Sequence, residues 1–254
     1  VQIIEDLLTK GVAAMAISPS NAPAVANVLR QRKPTIPIMT IDADLLPRDQ
    51  SLRKTYLGTD NYLLGVKLGE HLKALKPKGG SVCLVLGNVA ADNINHRAAG
   101  TRDTLAGKKG VERLNGENGW KEISGYPLFT NDDAAKGNQM MADVLTANKD
   151  FDALVLEGGW PQFAPQAYAQ LTSQYMDWIK SKQLVFVVAD TLPRQIEALK
   201  QERSDAQVGQ RPFEMGYRAT FVMKDMVEGK TAEPIYYTGL DECTAENVNT
   251  CLKK

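Results

Sequence analysis

The side chains with chemical capacity stand in one kind of position, directly after short apolar runs. Asp42 and Asp44 follow "IPIMTI", and Asn93, Asn95 and Arg97 follow "VCLVLG". Asn131 and Asp132 come after a run near 121–126, and Gly158, Gly159 and Trp160 after "ALVLE". Asp190 closes "LVFVVAD" and Gln210 closes "AQVGQ". Carboxylates accept hydroxyl protons, Asn and Gln both donate and accept, and Arg offers a planar fork of donors. Such a set suits a neutral polyhydroxylated ligand, with an aromatic face over its C–H side. Polar groups that a wrong ligand would leave unpaired supply the selectivity.

The same residues are poor candidates for catalysis. No G-x-G-x-x-G or GK[ST] ending occurs near "LGNVAADN", and no G-x-S-x-G elbow is present. His71 and His96 are far apart and in no metal-ligand spacing. The first reads as a surface residue near a helix end, the second as a helix-start residue. Asp132 and Asp133 read either as paired carboxylates or as caps of the next helix, and one of them is expected to cap. Asp42 and Asp44 read as turn residues before they read as a metal pair. Trp160 is either a stacking platform or a plug under a loop. No metal and no cofactor is expected.

These positions need elements to hold them. Helix-like stretches at 2–10, 21–32 and 61–75 alternate with apolar strands at 12–18, 36–42 and 55–59. Asp60 is an N-cap candidate for the third helix, and Gly65 and Gly69 share a face of it that would allow close packing. Strands are then expected within 79–87, near 121–126, at 153–157, 184–190 and 206–210. Helices are expected at 94–106, 133–147, a long one near 161–181, then 192–200 and 213–228, with an irregular tail. Strict alternation with continuous apolar strands predicts an α/β fold of parallel sheets covered on both faces. Ligands bind such sheets beyond the carboxyl ends of the strands, which is where the polar set lies.

Composition narrows the class. The chain has 254 residues, enough for one large or two medium domains. Lys plus Arg number 30 and Asp plus Glu number 30, a balance that argues against a nucleic-acid partner. No apolar run approaches the roughly 18 residues that span a bilayer. Cys83 sits in "SVCLVLG" and reads as a small core residue. Cys243 and Cys251 lie in the polar stretch "DECTAENVNTC". A disulfide there is the expectation, and two unpaired surface thiols the alternative. The disulfide would put the protein in an oxidising compartment.

Read together, "IEDLLTKGVAAMAISPSNAPAV", "IPIMTIDADL", "YLGTDNYLLGVKLGEHL", "GSVCLVLGN", "NHRAAGTRDTL", "VVADTLPRQIEALK" and "AQVGQRPFEMGYRA" resemble the type I periplasmic sugar-binding proteins. The nearest group is the ribose-binding-protein-like receptors of ABC transporters, and the resemblance covers nearly the whole chain. It implies two doubly wound parallel-sheet lobes joined by a hinge. Residues 1–59 and 211–236 would form the N-terminal lobe, 60–210 the C-terminal lobe, and 237–254 a tail returning toward the second. It also implies a strand, helix and strand ahead of the opening helix that this sequence does not contain. The first lobe is therefore expected to be truncated, with part of the ligand-binding wall outside this sequence.

Carried over residue by residue, the family's ligand aspartate falls on Asp42, its sugar-forking arginine on Arg97, its later aspartate on Asp190 and its hinge glutamine on Gln210. Ala43 stands where many members have arginine, so that contact is lost or is supplied by Asp44. A position often aromatic falls near Asn131–Asp132, and Trp160 would supply the missing ring. The differences imply a monosaccharide or sugar alcohol other than ribose. The resemblance implies a monomeric, non-catalytic periplasmic receptor that holds its ligand in an interlobe cleft and delivers it to an inner-membrane ABC permease. Three rival readings are the effector core of a repressor-type transcription regulator, a sugar-sensing chemotaxis or signalling receptor, and a hydrolase using Asp132 or Asp190.

Overall fold

The computed structural model describes residues 1–252. In chain order its first half runs α1 (Gln2–Thr9), β1 (Met15–Ile17), α2 (Ala22–Arg32), β2 (Ile38–Ile41), β3 (Thr55–Thr59), α3 (Asn61–Leu75), β4 (Gly80–Leu86), α4 (Asp92–Ala106), β5 (Trp120–Glu122) and β6 (Leu128–Phe129). The second half runs α5 (Ala134–Ala147), β7 (Ala153–Leu156), α6 (Pro165–Ser173), α7 (Met176–Lys180), β8 (Val185–Ala189), α8 (Pro193–Lys200), β9 (Ala206–Gly209), α9 (Pro212–Val227), β10 (Ile235–Thr238) and β11 (Asp241–Thr244). The chain divides into two compact units. One comprises Val1–Asp60, Ala90–Asn93 and Arg211–Gly239, the other Asn61–Val89, Ile94–Gln210 and Leu240–Lys254.

The first unit is built on a parallel sheet of order β1-β2-β3-β10. Successive residues of β2 point to opposite faces, as strand geometry requires. Ile38 packs with Ile4, Met15, Ile17, Val25, Leu29 and Leu45. Met39 packs on the other face with Leu57 and with Met215, Ala219 and Met226 of α9. β1 forms one edge of this sheet. The rings of Phe213, Tyr217 and Phe221 follow one another along the exposed side of α9.

The second unit is built on a sheet of order β11-β9-β8-β7-β4-β5, with β6 also pairing β4. All pairings are parallel except β11 on β9. β4, β7 and β8 are central and apolar on both faces. Cys83, Val85, Leu154, Leu156, Phe186 and Val188 share one core with Met141, Tyr168 and Leu171 of the covering helices. Cys83 is buried and unbridged.

Three expectations are corrected. The single strand near 121–126 is two short strands, β5 and β6, and both lie on β4. The long helix near 161–181 is broken into a 3₁₀ turn at Trp160–Phe163, then α6, then α7. Pro161 and Pro165 each start a new segment, because proline offers no N–H to a preceding turn. The tail is not irregular. "IYYT" forms β10 and "DECT" forms β11, both short strands completed only by distant partners.

Candidate functional site

Strand ends in this fold turn through an unusual backbone. Asp42 has φ 65°, Asn131 55°, Asp132 62° and Asp190 76°, all in the left-handed region. Asn and Asp tolerate that region better than other non-glycine residues. The turn takes each residue out of its strand direction just past β2, β6 or β8.

Arg97 is set by helix packing. α3 and α4 approach so closely that a Cβ on Gly65 would lie 1.9 Å from the Arg97 carbonyl oxygen. One on Gly100 would lie 2.2 Å from the Tyr62 carbonyl oxygen. Glycine at both positions removes the side chains that would hold the helices apart. Arg97 therefore reaches the start of α3, where its Nε donates to Asn61 Oδ1 at 2.9 Å. Its Nη1 donates to the Glu157 carbonyl oxygen at the end of β7, at 2.8 Å. The residue is only 1% exposed, yet its nearest carboxylate oxygen, Asp190 Oδ1, is 4.0 Å away. Gln210 Nε2 donates to that same oxygen at 3.1 Å. Arg97, Asp190 and Gln210 thus form one connected polar group at the ends of β7, β8 and β9. The guanidinium is oriented by neutral oxygens and keeps its Nη2 donors for another acceptor.

Trp160 lies beside this group. A Cβ on Gly158 would fall 2.2 Å from Trp160 Cη2, and one on Gly87 would fall 2.6 Å from it. The indole occupies a slot that two strand-end glycines leave open. Gln195 Nε2 donates to the Gly159 and Ala189 carbonyls at 3.4 Å, and Asn138 Nδ2 donates to the Pro161 carbonyl at 2.8 Å. These buried amides hold the turn that carries the ring. Gly87 also admits Asp132, whose Oδ1 would lie 2.1 Å from a Cβ there. Partial burial raises the Asp132 carboxyl above the usual range, and the Asn88 backbone N–H, which it accepts, offsets part of that. Asp133 is the expected cap, accepting from Lys136 N at 2.7 Å.

In the first unit, Asp42 Oδ2 accepts from Ser18 Oγ at 3.2 Å, and Tyr56 Oη donates to the Asp42 and Thr59 carbonyls, both at 2.9 Å. The expectation for Asp44 is corrected. Its carboxylate accepts Arg53 Nε and Nη2 at 2.7 and 2.5 Å, Thr40 Oγ1 at 2.5 Å and Leu45 N at 2.8 Å. That side chain is fully engaged in locking its loop and has no capacity left for a ligand. Asn95 is exposed and its Nδ2 donates to the Val89 carbonyl at 3.0 Å, bracing the turn into α4. Asn93 lies in the first turn of α4, half-buried. His71 is not a free surface residue, since its Nε2 lies 2.9 Å from Glu242 Oε2.

Two participants escaped the sequence reading. Asn61 stands beside the cap candidate Asp60, and an amide at the first position of a helix after a strand end is the signal for it. Glu157 closes the apolar run "ALVLE". It is wholly buried, neither carboxylate oxygen finds a hydrogen-bond partner, and burial pushes its pKa up to about 8. The nearby Thr101 and the charges of Arg97 and Arg102 offset only part of that. Among the described residues no group of three or more His, Cys, Asp or Glu could hold a metal ion. None of their helices is long and apolar enough to cross a membrane.

Two parallel α/β sheets with polar strand ends, a buried oriented arginine and a glycine-seated indole describe a binding protein of the periplasmic type. Residues 1–231 match the periplasmic binding protein domain, and the chain belongs to that family. It is 23% identical over 235 residues to the ribose import binding protein of Salmonella typhimurium, covering 92% of this chain and 72% of that protein. An ABC transporter solute-binding protein from Burkholderia graminis, solved in complex with D-arabinose, superposes with a TM-score of 0.83 at 26% identity, covering 98% of this chain and 81% of that one. One from Actinobacillus succinogenes with bound D-allose gives 0.80 at 18% identity, covering 98% and 82%.

Proposed function

We propose that this chain is the ligand-binding body of an extracytoplasmic receptor that captures a monosaccharide or sugar alcohol and delivers it to an ABC permease. The observation that carries the reading is the connected group Arg97, Asp190 and Gln210 at the strand ends of the second unit. It offers a donor fork, a carboxylate and an amide within one small volume, the complement of vicinal hydroxyls. Trp160 supplies an apolar face beside it. Asp42 of the first unit is proposed as a further ligand residue, and Asp44 is not. The ribose, arabinose and allose named for its relatives support the ligand class.

Binding needs no nucleophile, and the site offers none paired with a base. The Cys243–Cys251 disulfide, with Cα atoms 5.4 Å apart, supports an oxidising compartment and weighs against the cytoplasmic effector core of a transcription regulator. Calorimetry of the whole chain against pentoses, hexoses and polyols tests the reading. At least one is expected to bind, and Asp190→Asn is expected to weaken it at least about tenfold, the scale of one lost charge-assisted hydrogen bond. Binding of no sugar or polyol would overturn the assignment.

A further inference from the structure

We propose that Gln195 is a positioning residue: it sets the spacing between the Trp160 ring and the Asp190 carboxylate, and so decides which sugars or polyols are accepted. The inference rests on the sugar or polyol reading above and sharpens it. Gln195 is 0% exposed and lies in the first turn of α8. The two halves of its amide have different tasks. The oxygen has a local one. Leu192, the residue before α8, has no side-chain oxygen to cap the helix, and Gln195 Oε1 accepts the Leu192 N–H at 2.8 Å. A glutamate would serve that end equally well, since either side chain closes this half of a capping box. The nitrogen takes no part in capping. It donates to the Gly159 and Ala189 carbonyls, both at 3.4 Å. Those carbonyls belong to the residues immediately before Trp160 and Asp190.

One amide therefore stands between two loops that carry site residues from different strands, β7 and β8. Its orientation is fixed by its partners: the Leu192 N–H requires the oxygen, and the two carbonyls require the NH2. The approach depends on glycine. A Cβ on Gly159 would lie 1.8 Å from Gln195 Nε2 and 2.7 Å from the Ala189 carbonyl oxygen, so a larger residue would drive the amide out and the loops apart. The same turn is tied once more from behind. Gln207 Nε2 on β9 donates to the Gln195 carbonyl at 2.8 Å and to Gln162 Oε1 at 3.2 Å. Gln162 belongs to the 3₁₀ turn that begins at Trp160, and both of these glutamines are buried. Apolar side chains would fill this space without the cost of desolvating amides. Directional hydrogen bonds add what packing alone does not, a single fixed arrangement of the loops. A binding constellation keeps its selectivity only while its members stay within about 0.5 Å of their working geometry.

The test is calorimetry of the whole chain against pentoses, hexoses and polyols, with D-ribose, D-arabinose, D-allose and sorbitol among them and the tightest binder as reference. Gln195→Glu keeps the capping oxygen and removes the donors. It should weaken the reference compound at least about fivefold and narrow its lead over the others. Gly159→Ala enters the same contact from the other loop and should produce the same two changes. Thermal melts confirm that both variants fold, and Gln195→Met, of similar length and without donors, replaces Gln195→Glu if that one does not. In a Trp160→Leu background Gln195→Glu should cost less than half the factor it costs in the parent, because residues that act through one another are not additive. A residue that only stabilises α8 would leave the ranking of the compounds unchanged. Variants that bind within about twofold of the parent, with the same ranking, would overturn this proposal and leave the sugar or polyol reading standing. A loss of equal factor with and without Trp160 would also overturn it. Binding of no compound by the parent chain would overturn both.

Discussion

At the scale of the residue, Arg97 and Glu157 meet through one hydrogen bond, but their side chains behave in opposite ways. Arg97 is buried yet poised, because Asn61 and the Glu157 carbonyl orient it without neutralising it. Lysine at this position would keep the charge and lose the planar fork, so Arg97→Lys should weaken ligand binding by at least about tenfold while the protein still folds, as calorimetry and circular dichroism would show. The Glu157 carboxyl is a standing cost to the fold. Its folded pKa of about 8 lies above its ordinary 4.5, so the folded state holds a proton that the unfolded state releases. Below about 4.5 both states are protonated and the group is silent. Between about 4.5 and 8 it lowers stability as pH rises, and above 8 its contribution levels off. Urea melts across that range should show the decline, and Glu157→Gln should remove much of it and be more stable than the parent at pH 8.

At the scale of the element, the contact of α3 with α4 is what delivers Arg97. Gly65→Ala would drive a methyl group into the Arg97 carbonyl, costing about 1–3 kcal/mol and weakening ligand binding together with stability. Gly216→Ala is the matched control, since nothing lies within 4 Å of a Cβ there; in the interior of α9 it should stabilise by about 0.5–1 kcal/mol. Denaturant melts of the two variants separate packing from propensity. Much of this was legible in the sequence. The alternation of apolar runs predicts the strands, Gly65 and Gly69 on one helix face announce close packing, and polar residues after each strand mark where to look. What was hidden depends on partners far along the chain. Asp44 reads as a site residue until Arg53 is seen to occupy it. β5 and β6 are too short to show a period of their own, and β10 and β11 are strands only because β3 and β9 receive them.

At the scale of the whole molecule, the family membership implies an extracytoplasmic location, and the Cys243–Cys251 disulfide suits one. Cys243 lies on β11 and packs with Ile196 and Leu199 of α8, and its bond to Cys251 fastens the segment that follows β11 to the second unit. Closing so small a loop is worth roughly 2–3 kcal/mol. Reduction, or Cys251→Ser, should lower the melting temperature of the second unit by about 4–12 °C, read by calorimetry with and without reductant. A different consequence follows from the left-handed strand ends at Asp42, Asp132 and Asp190. Their backbone restricts the alphabet: aspartate, asparagine and glycine fit cheaply, and other side chains carry strain. Mutation at these sites can therefore switch a charge on or off, but it cannot readily add bulk. On the proposed ligand reading, descendants of this chain would change ligands at these three positions by exchanging carboxylate for amide, and would adjust for ligand size elsewhere, at Trp160 and the glycines beneath it.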